Sequence, residues 1–175
     1  DVDTVFHGTP AAVAAGGAGP YALADGQTLT LRVDGGGEQT VFFASGDFAD
    51  ITNATASEVA AVVSSAIVGG RATTPGGIVR LASDTEGTSS QLQVTGGTAN
   101  AALAFPGAVA HGGGNVATLR AVSVSEVKTA VETAVPAVRV DATASGALRI
   151  RTLATGVAAT VQARAATTPA FGLAT

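Results

Sequence analysis

Apolar positions recur along this chain with two different periods. "TLTLRV" (Thr28 to Val33) sets Leu29, Leu31 and Val33 at every second residue against Thr28, Thr30 and Arg32, the alternation of a half-buried strand. "QTVFF" (Gln39 to Phe43) follows after "DGGGE", and glycines between two such runs predict a β-hairpin. The period then changes. From Val59 the apolar residues fall at Val62, Val63, Ala66 and Ile67, the i, i+3, i+4, i+7, i+8 stripe of a helix. Alternation returns in "IVRLAS" (Ile78 to Ser83) and "QLQVTG" (Gln91 to Gly96). The polar, glycine-containing "DTEGTSS" between them predicts the turn of a second hairpin. The order is β-β-α-β-β.

The helix opening occurs twice, as "TASEVAAVVSSAI" (Thr55 to Ile67) and "SVSEVKTAVETAV" (Ser123 to Val135), at an offset of 68 residues. Thr55 with Glu58, and Ser123 with Glu126, have the spacing of a capping box. There the hydroxyl accepts from the backbone N–H three residues on, and the carboxylate reaches back to the capping residue's own N–H. The second stripe is Val127, Ala130, Val131, Ala134 and Val135. Helices this short are marginal alone, so each stripe must dock on a sheet. Beyond the helix, "GIVRL" (Gly77 to Leu81) matches "GALRI" (Gly146 to Ile150), Gly87 matches Gly156 and Leu92 matches Val161, all at an offset of 69. "LAF" (103–105) is answered by "FGL" (171–173), and "VRVDAT" (138–143) supplies a further strand. The stretch "PGAVAHGGGNVATLRAV" is too short and too rich in glycine for a second front hairpin.

These patterns predict an α+β, β-rich fold of two tandem β-β-α-β-β-like units. Each is a small antiparallel sheet with one short helix packed on it, and the second unit lacks the front hairpin. The expected organisation is an N-terminal arm (1–19), a first repeat unit (20–107), a Gly-rich linker (108–115) and a second, incomplete unit (116–175). That incomplete unit is expected to leave a sheet edge, to be completed by the N-terminal "VDTVFHG" or by a neighbouring subunit.

Composition narrows the picture. The chain of 175 residues has no Cys, Trp or Met, one Tyr and six Phe, so its core is expected to be built mainly from Val, Leu, Ile and Ala. The absence of Cys removes disulfides and thiolate chemistry and leaves the redox compartment open. No apolar run approaches the roughly 20 residues of a membrane span. The first residue is Asp, which is read as a processed chain or a piece of a longer one. The net charge of −4 is unevenly spread. Acidic residues dominate up to residue 107, whereas Arg120, Lys128, Arg139, Arg149, Arg151 and Arg164 outnumber Glu126, Glu132 and Asp141 beyond it. Phe171 is the one aromatic of that basic half, so stacking on nucleic acid is not expected. Opposite signs on the two units instead favour a head-to-tail contact between copies, in a ring or filament.

The strings "YALADGQTLTLRVDGGGEQTVFF", "DITNATASEVAAVV" and "VRLASDTEGTSSQLQVTGGTANAALAF" together resemble a repeat module of tail-associated structural proteins of phages and phage-like contractile particles. They are also similar in plan to the inserted motif of flagellins. The resemblance covers residues 20–105 well and 116–173 more loosely. It implies a β-rich structural or display module, with no catalytic residues to carry over.

A search for chemistry gives weak signals. "HGGG" (His111 to Gly114) has the look of an esterase oxyanion loop, but no G-x-S-x-G nucleophile elbow accompanies it, and an inter-repeat linker fits better. His7 is the other histidine, which leaves no His pair at helical spacing for zinc. Asp84 and Glu86 in "SDTEG" lack the further carboxylates of a calcium loop and are assigned to a hairpin turn. "GGAG" (Gly16 to Gly19) precedes a Pro and a strand rather than opening a helix, so it is no phosphate loop. "NAT" (Asn53 to Thr55) is formally a glycosylation acceptor whose Thr already caps a helix. No catalytic, cofactor or metal site is assigned, and the chain is expected not to be an enzyme.

The function expected first is a structural component of a phage or phage-like particle (tail, sheath, baseplate, fibre or decoration protein) in the virion or an extracellular particle. Its partners would be copies of itself and neighbouring particle proteins, with no nucleic acid, no membrane span and a host surface left open. The alternative is a cell-surface filament or adhesin module of flagellin-like plan. An enzyme or small-ligand domain ranks third.

Overall fold

A computed structural model describes residues 6–157 and 159–161. The fold is α+β and rich in antiparallel strands, and the described residues form two compact units, 6–121 and 122–161.

The first unit contains β1 (Gly8–Ala14), β2 (Gln27–Val33), β3 (Gln39–Phe43), α1 (Ala56–Ala66), β4 (Gly70–Thr73), β5 (Arg80–Glu86), β6 (Gln91–Gly96), α2 (Asn100–Leu103), β7 (Ala110–His111) and β8 (Gly113–Gly114). They make two four-stranded antiparallel sheets, ordered β4-β5-β1-β8 and β3-β2-β6-β7. Both sheets feed one core, with Ala11 and Val13 of β1, Leu81 of β5, Leu29 and Leu31 of β2, and Leu92 of β6 among its members. The hairpin of β2 and β3 is the expected one. Asp34 and Gly35 both hold left-handed backbone at its tip (φ 50° and 69°), the conformation that two-residue-type turns favour and that Asp and Gly tolerate best.

Four expectations need correction. Residues 8–14 are not an arm: β1 sits between β5 and β8 inside its sheet. Its buried residues are Ala11 and Val13, and Ala12 and Ala14 alternate with them on the other side, which leaves little hydrophobic contrast along the sequence. The stretch 108–115 is not a linker either, since it supplies β7 and β8, and the unit continues to Ala121. Val116 is buried, and the Thr88, Ser89 and Leu119 amides donate to Val116, Ala117 and Glu86 carbonyls. Third, β5 and β6 are not a hairpin. They belong to different sheets, and Gly87 to Ser90 form a corner between the sheets rather than a two-strand turn. Asp84 and Glu86 therefore lie on β5 itself, not on a turn. Fourth, α1 does not lie across a sheet face but packs against β3 and β4, the edge strands of the two sheets. It buries Ala56, Val59, Ala60 and Val63, while Ala66 is exposed.

The edge strands of the two sheets are linked in pairs. On one side α1 spans β3 and β4. On the other, β7 and β8 are consecutive in the chain and step from one sheet to the other across Gly112. A side chain at Gly112 would run into the Gly87 and Thr9 carbonyls, so only glycine fits this crossing.

The second unit contains α3 (Val124–Ala134), β9 (Val138–Ala142) and β10 (Leu148–Thr152), the latter two paired antiparallel. "VRVDAT" and "GALRI" are thus the two strands of one hairpin. Residues 153–157 and 159–161, where a further strand was expected near Gly156 to Val161, hold none. The match at 171–173 lies outside the described residues.

Candidate interaction surface

Both helices open as expected. Thr55 Oγ1 accepts from the Glu58 amide at 3.3 Å, and Glu58 Oε2 accepts from the Thr55 amide at 2.9 Å. Ser123 Oγ accepts from the Glu126 amide at 3.3 Å, and Glu126 Oε2 from the Ser123 amide at 2.7 Å. The Glu58 carboxyl is held below its ordinary range, chiefly because the Ala49 amide also donates to it.

The repeat extends beyond the cap. In the hairpin of β4 and β5, Gly70 faces Ser83, Ala72 faces Leu81 and Thr73 faces Arg80. Adding 68 to the first member and 69 to the second gives Val138 with Thr152, Val140 with Ile150 and Asp141 with Arg149, which are the observed pairs of β9 and β10. The two hairpins share one register, with one more residue in the second turn.

The helix also seals the outer edge of its hairpin at the same place in both units. Ser64 Oγ accepts from the Ala72 amide (2.9 Å) and donates to the Ala72 carbonyl (3.3 Å). In the second unit Glu132 Oε1 accepts from the Val140 amide (2.9 Å), and Lys128 Nζ donates to the Val140 carbonyl (3.2 Å). Glu132 stands 68 residues after Ser64, and Val140 stands 68 after Ala72. Lys128 and Glu132 also bond each other at 2.7 Å. Lys128, and then the Val140 amide, lower the Glu132 carboxyl from its usual range. Two unsatisfied backbone groups of an edge strand are covered this way, which blunts it against pairing with another chain.

The far edge of the second hairpin differs among the described residues. No described residue pairs with the outer side of β10. In the first unit the corresponding strand, β5, has β1 on that side. The face of β9 and β10 that carries Arg139, Asp141, Arg149 and Arg151 is strongly basic. Arg151 stands directly opposite Arg139, and like charges at that spacing destabilise a strand pair. Asp141 serves two guanidinium groups, Arg149 at 2.7 Å and Arg151 at 3.1 Å. The hydrogen bond from Arg149 lowers the Asp141 carboxyl and raises the Arg149 guanidinium in turn.

The other residues singled out in the sequence are put to structural use. His111 is exposed on β7 opposite Gln91, and Gly112 to Gly114 form the crossing and β8. His7 lies at the entry to β1, its amide bonded to Asn115 Oδ1 at 2.9 Å. Asp84 pairs with Arg71 at 2.6 Å on the exposed side of β5. Gly17 accepts from the Tyr21 hydroxyl at 2.7 Å, and Gly19 donates to the Gly77 carbonyl at 3.0 Å. Asn53 is exposed just ahead of the α1 cap, beside an open groove that includes Gly19, Thr55 and Gly77. Among the described residues no group of three His, Asp or Glu could hold a metal ion, and no helix is long and apolar enough to cross a membrane.

Two features escaped the sequence. The edge clamp of Lys128 and Glu132 on Val140 was visible only as the 68-residue correspondence of Ser64 with Glu132, two chemically unlike residues. The other is Asp34, whose carboxylate accepts from Ser83 Oγ at 2.8 and 3.0 Å and from the Gln91 amide at 2.9 Å, joining the two sheets. No protein-family model matches the chain, and no curated protein matches it.

Proposed function

We propose that this chain is a structural component of a phage or phage-like particle, working through repeated contacts with copies of itself and neighbouring particle proteins. The observation that carries this is the reuse of one module. A capped helix, an edge clamp at the same position and a hairpin in the same register occur in two units of one chain. A module repeated with its geometry conserved and its clamping side chains changed is what an assembly made of similar contacts requires. The sequence resemblance to phage tail repeat modules points the same way. Charge adds support: eight carboxylates stand against four arginines in residues 6–121, whereas cations exceed carboxylates in 122–161. Such a split favours contact between unlike units of successive copies.

Immunogold electron microscopy of the source material, with antibody raised against the purified chain, tests the proposal. Label on one component of a tailed particle is the expected result. Label spread evenly along a cell-surface filament would replace it with the flagellin-like alternative.

A further inference from the structure

We propose that the arginine face of β9 and β10 is a docking surface for a second copy of this chain, and that it receives that copy's acidic stretch between β3 and the first turn of α1. The inference rests on the reading of repeated self-contact proposed above and names the surfaces that carry it.

The arginine face holds more cations than its carboxylates can serve. The side chains of Arg139, Arg149 and Arg151 are 45%, 55% and 62% exposed. Asp141 is shared by Arg149 and Arg151, and Glu132 is shared by Lys128 at 2.7 Å and Arg139 at 3.9 Å. Two carboxylates therefore serve four cations. The strand register adds to the imbalance, since Arg139 lies directly opposite Arg151. Carboxylates arriving from outside relieve that repulsion.

The acidic stretch has the opposite imbalance. Residues 44–58 contain Asp47, Asp50 and Glu58 and no Lys or Arg. Asp25 is tied to the same place, its carboxylate accepting from the Ser45 amide at 2.7 Å. Asp25, Asp47 and Asp50 are exposed, and among the described residues no ion pair includes any of the four. Elsewhere in the first unit Asp84 has Arg71 at 2.6 Å and Glu38 has Arg32 at 4.0 Å. Backbone amides already hold three of the four carboxylates: Ser45 holds Asp25, Thr52 holds Asp50 at 3.0 Å, and Ala49 holds Glu58 at 2.8 Å. Side chains fixed before contact lose little freedom in making it.

Charge complementarity selects the pairing. Arginine face on arginine face repels, as does acidic stretch on acidic stretch, whereas the unlike surfaces attract. Each copy carries one of each, so the contact is head-to-tail and can repeat.

Two neutralised chains test it. Arg139→Gln, Arg149→Gln and Arg151→Gln together neutralise the arginine face. Asp47→Asn, Asp50→Asn and Glu58→Gln neutralise the acidic stretch while keeping an acceptor oxygen for the helix cap and for the Thr52 and Ala49 amides. In sedimentation at about 0.02 M salt, where screening is weak, the wild-type chain should associate and each variant alone should associate at least about tenfold more weakly. An equimolar mixture of the two variants should form a 1:1 pair that grows no further, because one complementary contact remains. The chain has no Cys, so a short thiol cross-linker gives an independent reading: Arg151→Cys and Asp47→Cys chains, mixed, should link preferentially to each other. Association unchanged in either variant, no pair in the mixture, or linking of like with like as readily as unlike would each overturn the assignment and leave self-contact by other surfaces standing. A wild-type chain that stays monomeric at every salt concentration would overturn both the assignment and the self-contact reading beneath it.

Discussion

Asp34 offers the most informative single perturbation, because one exposed residue at the tip of a hairpin ties the two sheets of the first unit together. Its carboxylate accepts from the fully buried Ser83 hydroxyl and from the Gln91 amide. A hydrogen bond to a charged group contributes roughly 1.5 to 3 kcal/mol. Solvent on the outer side of this carboxylate argues for the low end, giving about 3 kcal/mol for the two bonds. Asp34 also holds φ at 50°, where a Cβ costs about 1 kcal/mol. Asp34→Ala should then destabilise by about 3 kcal/mol, Asp34→Gly by about 2 as the backbone strain is relieved, and Asp34→Asn by less because one acceptor oxygen remains. Tyr21 is the sole tyrosine, is buried, and the chain has no Trp, so tyrosine fluorescence in urea reports on this unit alone. The pH dependence has a definite sign. Burial raises the Asp34 carboxyl, but hydrogen bonds from Gln91, Thr85, Ser83 and Ser90 outweigh it and hold the group below its ordinary value. Stability from such a carboxylate is present above the unfolded pKa of about 3.9 and is lost as pH falls through the lower folded value. The gap between wild type and Asp34→Asn should accordingly shrink below about pH 4. An Ala variant within about 0.5 kcal/mol of wild type, or a Gly variant less stable than Ala, would refute the account.

Thr55→Ala should cost about 1 kcal/mol and shift the Tyr21 transition, whereas Ser123→Ala should cost a similar amount, visible in far-UV circular dichroism, and leave the Tyr21 transition in place. Val63 is fully buried in α1, so Val63→Asp should abolish the cooperative Tyr21 transition, an unpaired buried charge costing several kcal/mol. Gly112→Ala should prevent the first unit from folding, seen as loss of dispersed amide resonances, because its Cβ meets backbone rather than a movable side chain. If charge steers assembly, light scattering should show association weakening as salt rises from about 0.01 to 0.5 M; strengthening would assign it to apolar or strand-edge contacts.

Features decided within a few residues were legible in the sequence. The capping boxes need only a hydroxyl and a carboxylate three positions apart, and both formed where Thr55 and Ser123 predicted them. The hairpin of β2 and β3 follows from strict alternation around an Asp-Gly tip, again a local matter. The repeat itself was visible as matched strings, although β4 was not, since "GRAT" is four residues long with no apolar alternation and is a strand only because β5 lies beside it. What the tertiary structure alone decided is which strands meet. Alternation tells a strand which face is buried but not which neighbour it takes, so β5 and β6 read as a hairpin although each joins a different sheet. For the same reason the Ala-rich residues 8–14 read as an arm and the glycines at 112–114 as a linker. Their small size, which erases them from a hydrophobicity pattern, is what lets β1 fit between two strands and lets the chain cross between sheets where any side chain would strike backbone.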